Sequence, residues 1–396
     1  MKTTYDTIVI GLGGLGAAAL YWLSRELGAD LLGIEQFEIG HTQGGSQDHS
    51  RIIRLAQHQD SYTDLARPAY AAWSEVEAEA DIKLVHITGG LVIEEFGVRD
   101  TALVGTRDLN GYKSAMARRN IPFESLSAAE VNRRWPQFTL KDNQAAVYQA
   151  DSGFVDAGKG VLTHLALARA RGAALLDRNP VLAVVPRGAQ SVDVETAQGT
   201  FQARAVVMAT GFWSNRMLAK AGVQLPFYGT QEQVTYFATP HLKECSPRHF
   251  PVWMFHGAHS FYGFPVYGEL ATKMGQHLAG PEVTPETRTF AADPEREARY
   301  GEFLRTHIPR AHGPILLTKT CLYHNTPDQE FVIDSLPEYP QIAITATGGQ
   351  GYKFASVIGQ ALRDLALHGR SDLPLAPFTL RRPAFTDPNF QRIRHH

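Results

Sequence analysis

The chain has 396 residues, enough for two domains or one large interleaved one, and its 20% charged and 44% hydrophobic residues are the balance of a soluble globular protein with a true core. A net charge of -2 gives no electrostatic case for nucleic acid or an anionic membrane. No apolar window is long enough to span a bilayer, and the two cysteines, Cys245 and Cys321, do not make a disulfide framework, so the default setting is reducing and cytoplasmic.

The chain opens with an apolar run, Thr7 to Ile10, that enters a glycine turn. Gly11, Gly13 and Gly16 stand at the spacing G-x-G-x-x-G. A helix is expected over Ala17 to Leu27 and a second strand over Leu31 to Ile34, ending in Glu35. This is the order of a dinucleotide site. Gly11 permits the tight turn, Gly13 lets backbone approach a pyrophosphate, and Gly16 lets helix and strand pack closely. The helix N-terminus presents N–H groups and a positive dipole end to phosphates. Glu35 is placed to accept from a ribose hydroxyl. The glycines that break the apolar run argue against a secretory leader.

His41 to Arg54 is polar and irregular and ends in Arg51 and Arg54. A loop of this length is often functional, although the two arginines alone also read as a solvated helix face. Tyr62 to Ala80 has helical periodicity, with Leu65, Ala69, Trp73 and Val76 on one side. Two short strands are expected around Gly89-Gly90. Ser127 to Glu130 reads as a capping box for a short helix that stops before Pro136, and Asp156 as the N-cap of a helix to about Arg171. Gln144 to Ala150, Ala173 to Leu176 and Val181 to Val185 read as strands. Val192 to Glu195 and Phe201 to Ala203 read as a hairpin. Ala205 to Met208 is a separate buried strand running into the small residues Ala209-Thr210-Gly211 and a helix from about Trp213.

From Phe227 to Met274 short strands rich in β-branched and aromatic residues predict an antiparallel sheet. Its aromatic-rich stretches, Trp253 to Phe255 and Phe261-Tyr262, either line a pocket or pack as core. Pro294 to Thr306 is a charged helix. Ile315 to Tyr323, Phe331 to Asp334 and Ile342 to Ala346 are strands, followed by the glycine turn Thr347 to Gly351 and a closing helix from Tyr352 to Leu367. The fold class is α/β (α+β): a Rossmann-type nucleotide domain built from both chain ends, with an inserted antiparallel-sheet domain. Residues 1–83, 145–220 and 318–380 are assigned to the first, and 84–144 and 221–317 to the second. No metal-ligand cluster is expected.

Four stretches, GLGGLG (Gly11 to Gly16), SRIIR (Ser50 to Arg54), YGFP with the later K-x-G-x-H (Tyr262 to His277), and TCLY, FVID and GQGYKF (Thr320 to Phe354), together resemble the monomeric sarcosine oxidase and N-methyltryptophan oxidase group, within the D-amino-acid-oxidase-like flavoproteins. The resemblance covers Tyr5 to Phe378. It implies FAD held covalently through Cys321, which by itself reads as a buried small hydrophobe; Cys245 matches nothing and is taken as structural. It places the cofactor against Gly11, Gly13, Gly14, Gly16 and Glu35, and against Ser46 and Arg51. It adds Ala209 and Gly211, and the turn Gly349, Gln350, Gly351 with Lys353.

The resemblance further implies that Arg51 lies at the flavin ring, and that Arg54 and Lys353 clamp a substrate carboxylate, for which a guanidinium fork is well shaped. Lys273 matches a lysine that activates O2, and Tyr262 and His277 match side chains of the substrate pocket. Read plainly, Lys273 is an exposed strand lysine and Lys353 a solvated one. The implied reaction is oxidation of a secondary amino acid to an imine, with O2 reduced to H2O2, by a monomer that needs no membrane or nucleic acid. A cyclic imino acid such as pipecolate, a larger N-alkyl amino acid, a dehydrogenase with another acceptor, and a flavin-binding module without turnover stand as alternatives. The sequence departs from the group's pattern at Gln350 and at Gln47, Asp48 and His49, which bears on the substrate more than on the reaction class.

Overall fold

The computed structural model describes residues 2–98 and 108–393. At its centre the strand Thr4–Ile10 runs parallel between Leu31–Ile34 and the C-terminal half of Gly199–Met208. Ala174–Leu176 extends the sheet on one side and Ile342–Ala346 on the other, both in parallel. Parallel pairs require crossovers and cover on both faces. The alternation of each strand meets that need. Val9 and Val207 join the cluster formed with the helices, while Ile8, Ile10, Val206 and Met208 join the cluster on the opposite face. Each fully buried side chain of this kind contributes about 1.5–3 kcal/mol.

The helices Gly14–Leu27, Ala157–Ala170 and Ala355–His368 pack together on the first face. The run Ala17-Ala18-Ala19 lets the last of these approach closely: a Cβ on Gly359 would stand 2.6 Å from the Ala18 backbone. The helix Ala355–His368 is thereby packed directly on the helix Gly14–Leu27.

A nine-stranded sheet forms the second layer. Tyr228–Phe237 pairs along its length with Ile315–Asn325 and, on its other edge, with Thr272–Gln276. Ser260–Phe264, Val252–His256, Gly90–Glu95, Gln144–Gln149 and Glu124–Ser127 follow in order. The expected antiparallel pattern holds except at one ladder, where Val252–His256 runs parallel to Gly90–Glu95. That is where two sequence-distant halves of the sheet join. Strands Gln144–Gln149 and Ile315–Asn325 belong to this sheet, so residues on either side of the expected boundaries at 145 and 318 share one ladder. A small third sheet pairs Gly153–Val155 with Arg51–Ile53 and with Val85–Ile87.

Local signals behave as read. Ser127 and Glu130 form a complete capping box, and Asp156 caps its helix by accepting from the Lys159 amide. The sequence separates Phe201 to Ala203 from Ala205 to Met208, but Gly199–Met208 is one strand. The charged residue at the junction, Arg204, is not a break, because its guanidinium forms two 2.9 Å hydrogen bonds to the Asp6 carboxylate of the neighbouring strand. The helix Leu109–Ala117 has no counterpart in the sequence reading. Among the described residues no helix is long and apolar enough to cross a membrane.

Candidate active site

A deep cavity runs from the first glycine turn to the second sheet. Its nucleotide end is built from backbone. Gly11 leaves the first strand at φ +85°, and a Cβ there would stand 2.6 Å from the Ala209 carbonyl oxygen. A Cβ on Gly16 would stand 1.7 Å from the Gly11 carbonyl oxygen. Only glycine allows this crossing of strand and helix. The Leu12 amide donates to Glu35 Oε2 (2.8 Å) and the Phe37 amide to Oε1 (3.0 Å), with His41 Nε2 3.4 Å from that oxygen. Burial alone would raise the Glu35 carboxyl, yet the hydrogen bonds from His41 and the Phe37 amide hold it below its ordinary range. An ionised Glu35 keeps lone pairs for a hydroxyl. Gly13 also lines the cavity, and the Gly14 amide donates to Ser46 Oγ (2.8 Å). Ala209 and Gly211 (φ +51°) line the same end.

The second glycine turn closes over this end. Gly349 abuts the Tyr323 ring, where a Cβ would come within 2.0 Å, and a Cβ on Gly351 would stand 1.9 Å from Thr347 Oγ1. The Tyr352 ring fills the space above Gly14, and its hydroxyl donates to the Ala157 carbonyl (2.6 Å). The Gln350 carbonyl accepts from Lys353 Nζ (2.8 Å).

The middle of the cavity is charged. Arg51 is fixed by donating to the carbonyls of Gly45 (3.1 Å), Gln47 (2.6 Å) and Ser50 (3.2 Å). Cys321 lines the cavity and is buried. Burial pushes its thiol up to about 11, against the pull of Arg51. Cys245 lies in a separate core, donating to the Arg310 carbonyl. Lys273 is not the exposed strand lysine of the plain reading: it is 2% exposed. It is also absent from the cavity lining. Its ammonium donates to Asp48 Oδ2 (3.0 Å) and the Ser50 carbonyl (2.7 Å). Burial draws its pKa down to about 8, with Asp48 opposing.

At the far end, Arg54 is buried over the Tyr112 ring (5.4 Å), and its Nη1 has no hydrogen-bond partner. Lys353 lines the same cavity, its carbonyl accepting from Trp73 Nε1 (3.0 Å); it too is buried rather than solvated. Tyr262 and Tyr323 share a hydrogen bond, and the His277 ring lies 5.8 Å from the Tyr323 ring. Burial raises both phenols, so they stay protonated at neutral pH. The aromatic stretch divides by strand alternation: Trp253 and Phe255 enter the core, whereas Met254 and Tyr262 join the cavity wall. The wall residues His256 and Tyr112 escape the sequence reading. His256 contacts Ser260 Oγ (3.2 Å) and the Tyr112 hydroxyl (3.4 Å). Tyr323 is legible only as part of the TCLY motif.

The model of the family described as FAD dependent oxidoreductase matches residues 6–365. This chain belongs to that family. It is 32% identical to a monomeric sarcosine oxidase of an Arthrobacter species over 97% of this chain and 98% of that one. It is 31% identical to an N-methyl-L-tryptophan oxidase of Salmonella arizonae, with 96% and 99% covered. Among solved structures, the open form of NikD, described as an unusual amino acid oxidase, superposes with a TM-score of 0.83 at 24% identity, covering 96% of this chain and 98% of that one; that likeness concerns the fold. As a member of the FAD-dependent oxidoreductases, the chain has residues that fit the cofactor. The glycine cradle tolerates no Cβ at Gly11 or Gly16, the N-terminus of the first helix faces the cavity, and Glu35 is ionised beside it.

Proposed function

We propose that the protein oxidises the C–N bond of a secondary α-amino acid, most simply an N-methyl amino acid. FAD, which when bound accepts two electrons from substrate, would be held by the Gly11–Gly16 turn, Ser46, Glu35 and the turn Gly349–Gly351, and tethered through Cys321. The imine product is hydrolysed by water to an amine and an aldehyde, and O2 is the final acceptor, giving H2O2. The names of the sarcosine and N-methyltryptophan oxidase relatives support the substrate class. We further take the enzyme to be a cytoplasmic monomer.

The observation that carries the reading is Arg54. A buried guanidinium with an unpartnered Nη1 in a cavity wall costs several kcal/mol unless an anion meets it. A carboxylate supplies that anion and matches the fork in shape. Lys353 brings a second cation to the same space, and the pair lowers the pKa of a bound amine, favouring the neutral form that can be oxidised. Holding the carboxylate at one end orients the N-alkyl group, a positioning effect. Tyr262, Tyr323 and His277 bound the remaining space and exclude water. The test is peroxide release in air from sarcosine, N-methyl-L-tryptophan, other N-methyl amino acids, L-pipecolate and L-proline. Peroxide from an N-methyl compound is expected. Bleaching of the flavin without oxygen, but no peroxide in air, would assign another acceptor. Silence in both would end the substrate reading. If the tether is present, denatured protein keeps its yellow colour and Cys321→Ser loses it.

A further inference from the structure

Asp48 is a charged residue that the reaction above does not use. Its backbone stands at φ +93°, in the left-handed region that most residues other than Gly, Asn and Asp avoid. Its side chain is 1% exposed. Three cations converge on it: Lys273 Nζ at 3.0 Å, Lys319 Nζ at 3.2 Å and Arg51 Nη1 at 3.6 Å. The Tyr236 hydroxyl donates to it as well. Nothing in the glycine cradle or the carboxylate clamp requires a buried anion here, and burying one costs several kcal/mol.

The layout suggests what the anion does. Arg51 reaches the cavity wall beside Cys321, and Lys273 lies behind it over the Phe264 ring at 4.0 Å. Lys319 is 28% exposed and also faces Glu269, so solvent and that carboxylate screen it. The buried Lys273 and the part-buried Arg51, 18% exposed, therefore share one buried carboxylate. An ammonium paired at 3.0 Å acts as a dipole, whose field falls off faster than that of a lone charge.

We propose that Asp48 is a built-in counter-charge at the flavin site, offsetting Arg51 and Lys273 and so restraining the formation of anions in the cavity, including the reduction of O2. Reoxidation passes two electrons from the reduced flavin, with two protons, to O2 to give H2O2; the first electron makes an anion, and a neighbouring carboxylate opposes it. Asp48 acts through the cations that it pairs, as a positioning residue. The inference rests on the FAD reading of the cavity but not on the amino-acid substrate.

The test is titration of the holoenzyme with sulfite, which adds to oxidised flavin as an anion and bleaches it. Asp48→Asn, whose side chain suits the left-handed backbone, is expected to bind sulfite about tenfold more tightly, about 1.4 kcal/mol, and to be reoxidised by O2 faster. Lys273→Met is expected to bind it about tenfold more weakly. The double variant should return to within about threefold of the parent, since the two charges cancel. Weakening in both single variants would mean structural damage alone and would overturn the proposal, as would an unchanged Asp48→Asn. If Asp48→Asn does not fold, Lys273→Met decides: sulfite affinity unchanged by the loss of Lys273 sinks the idea. Protein that stays colourless with added FAD ends both readings. A sulfite series that behaves as expected, beside a flavin that no amino acid bleaches, removes only the substrate reading.

Discussion

The two ends of the cavity are made in different ways. The nucleotide end is shaped by backbone: Glu35 accepts from the Leu12 and Phe37 amides, Ser46 from the Gly14 amide, and the glycines leave no room for a Cβ. The other end is read by side chains from five separate segments, carrying Arg54, Tyr112, Tyr262, Tyr323 and Lys353. A backbone site depends on a few consecutive residues and tolerates almost no substitution. A side-chain site depends on long-range packing and can be retuned one residue at a time. The first suits a cofactor that never changes, and the second a substrate that can.

Four substitutions would break or sharpen that contrast. The largest effect is expected from Gly16→Ala. Its methyl group would lie 1.7 Å from the Gly11 carbonyl oxygen, a clash with backbone that no rotamer relieves. The purified protein should be colourless and should not recover its spectrum with FAD; full flavin occupancy would show that the turn is more plastic than its geometry. Arg54→Gln should leave the flavin spectrum intact and lower kcat/KM by about a thousandfold, in the range of a lost buried charge pair. A neutral amine without a carboxylate should be affected far less, and equal losses for both would remove Arg54 from the clamp.

Asp48→Asn should destabilise the fold by about 3 kcal/mol at neutral pH, read by urea unfolding, because it leaves the buried Lys273 ammonium without its carboxylate. Burial would raise the Asp48 carboxyl, but Lys273, Arg51 and the Tyr236 hydroxyl hold it far below its ordinary range. Its stabilisation is thus present above the unfolded value and lost as pH falls through and below it, so the difference between variant and parent should shrink below about pH 4. A difference that grew in acid would reverse the assignment. The smallest effect is expected at Asp293, which caps the helix Pro294–His307 by accepting from the Glu295 and Arg296 amides. Asp293→Ala should cost about 1 kcal/mol in stability and leave the flavin spectrum and turnover alone.

What the sequence made legible follows the same division. The turn from Gly11 to Gly16, Glu35, the caps at Ser127 and Asp156, and most strands are local patterns, and the structure forms them where the pattern lies. The Arg204 junction was misread because its partner, Asp6, lies 198 residues away. Tyr112 reaches the cavity from a helix that no periodicity announced. The resemblance named Lys273, but not that its ammonium is held by Asp48, 225 residues distant. Sequence supplies the residue types at such a site; which charges cancel is a property of the fold.

Tyr352 lies over Gly14, and these residues are 338 positions apart (352 − 14). At about 5–20 residues per second, a ribosome takes roughly 20–70 s to travel between them. The first thirty-five residues, with the glycine turn complete, must therefore wait for Tyr352 to be synthesised before their nucleotide site has a roof. The nucleotide site is thus complete only once both Gly14 and Tyr352 have been synthesised, and a chain ending before Tyr352 would carry the glycine turn without the ring that covers it.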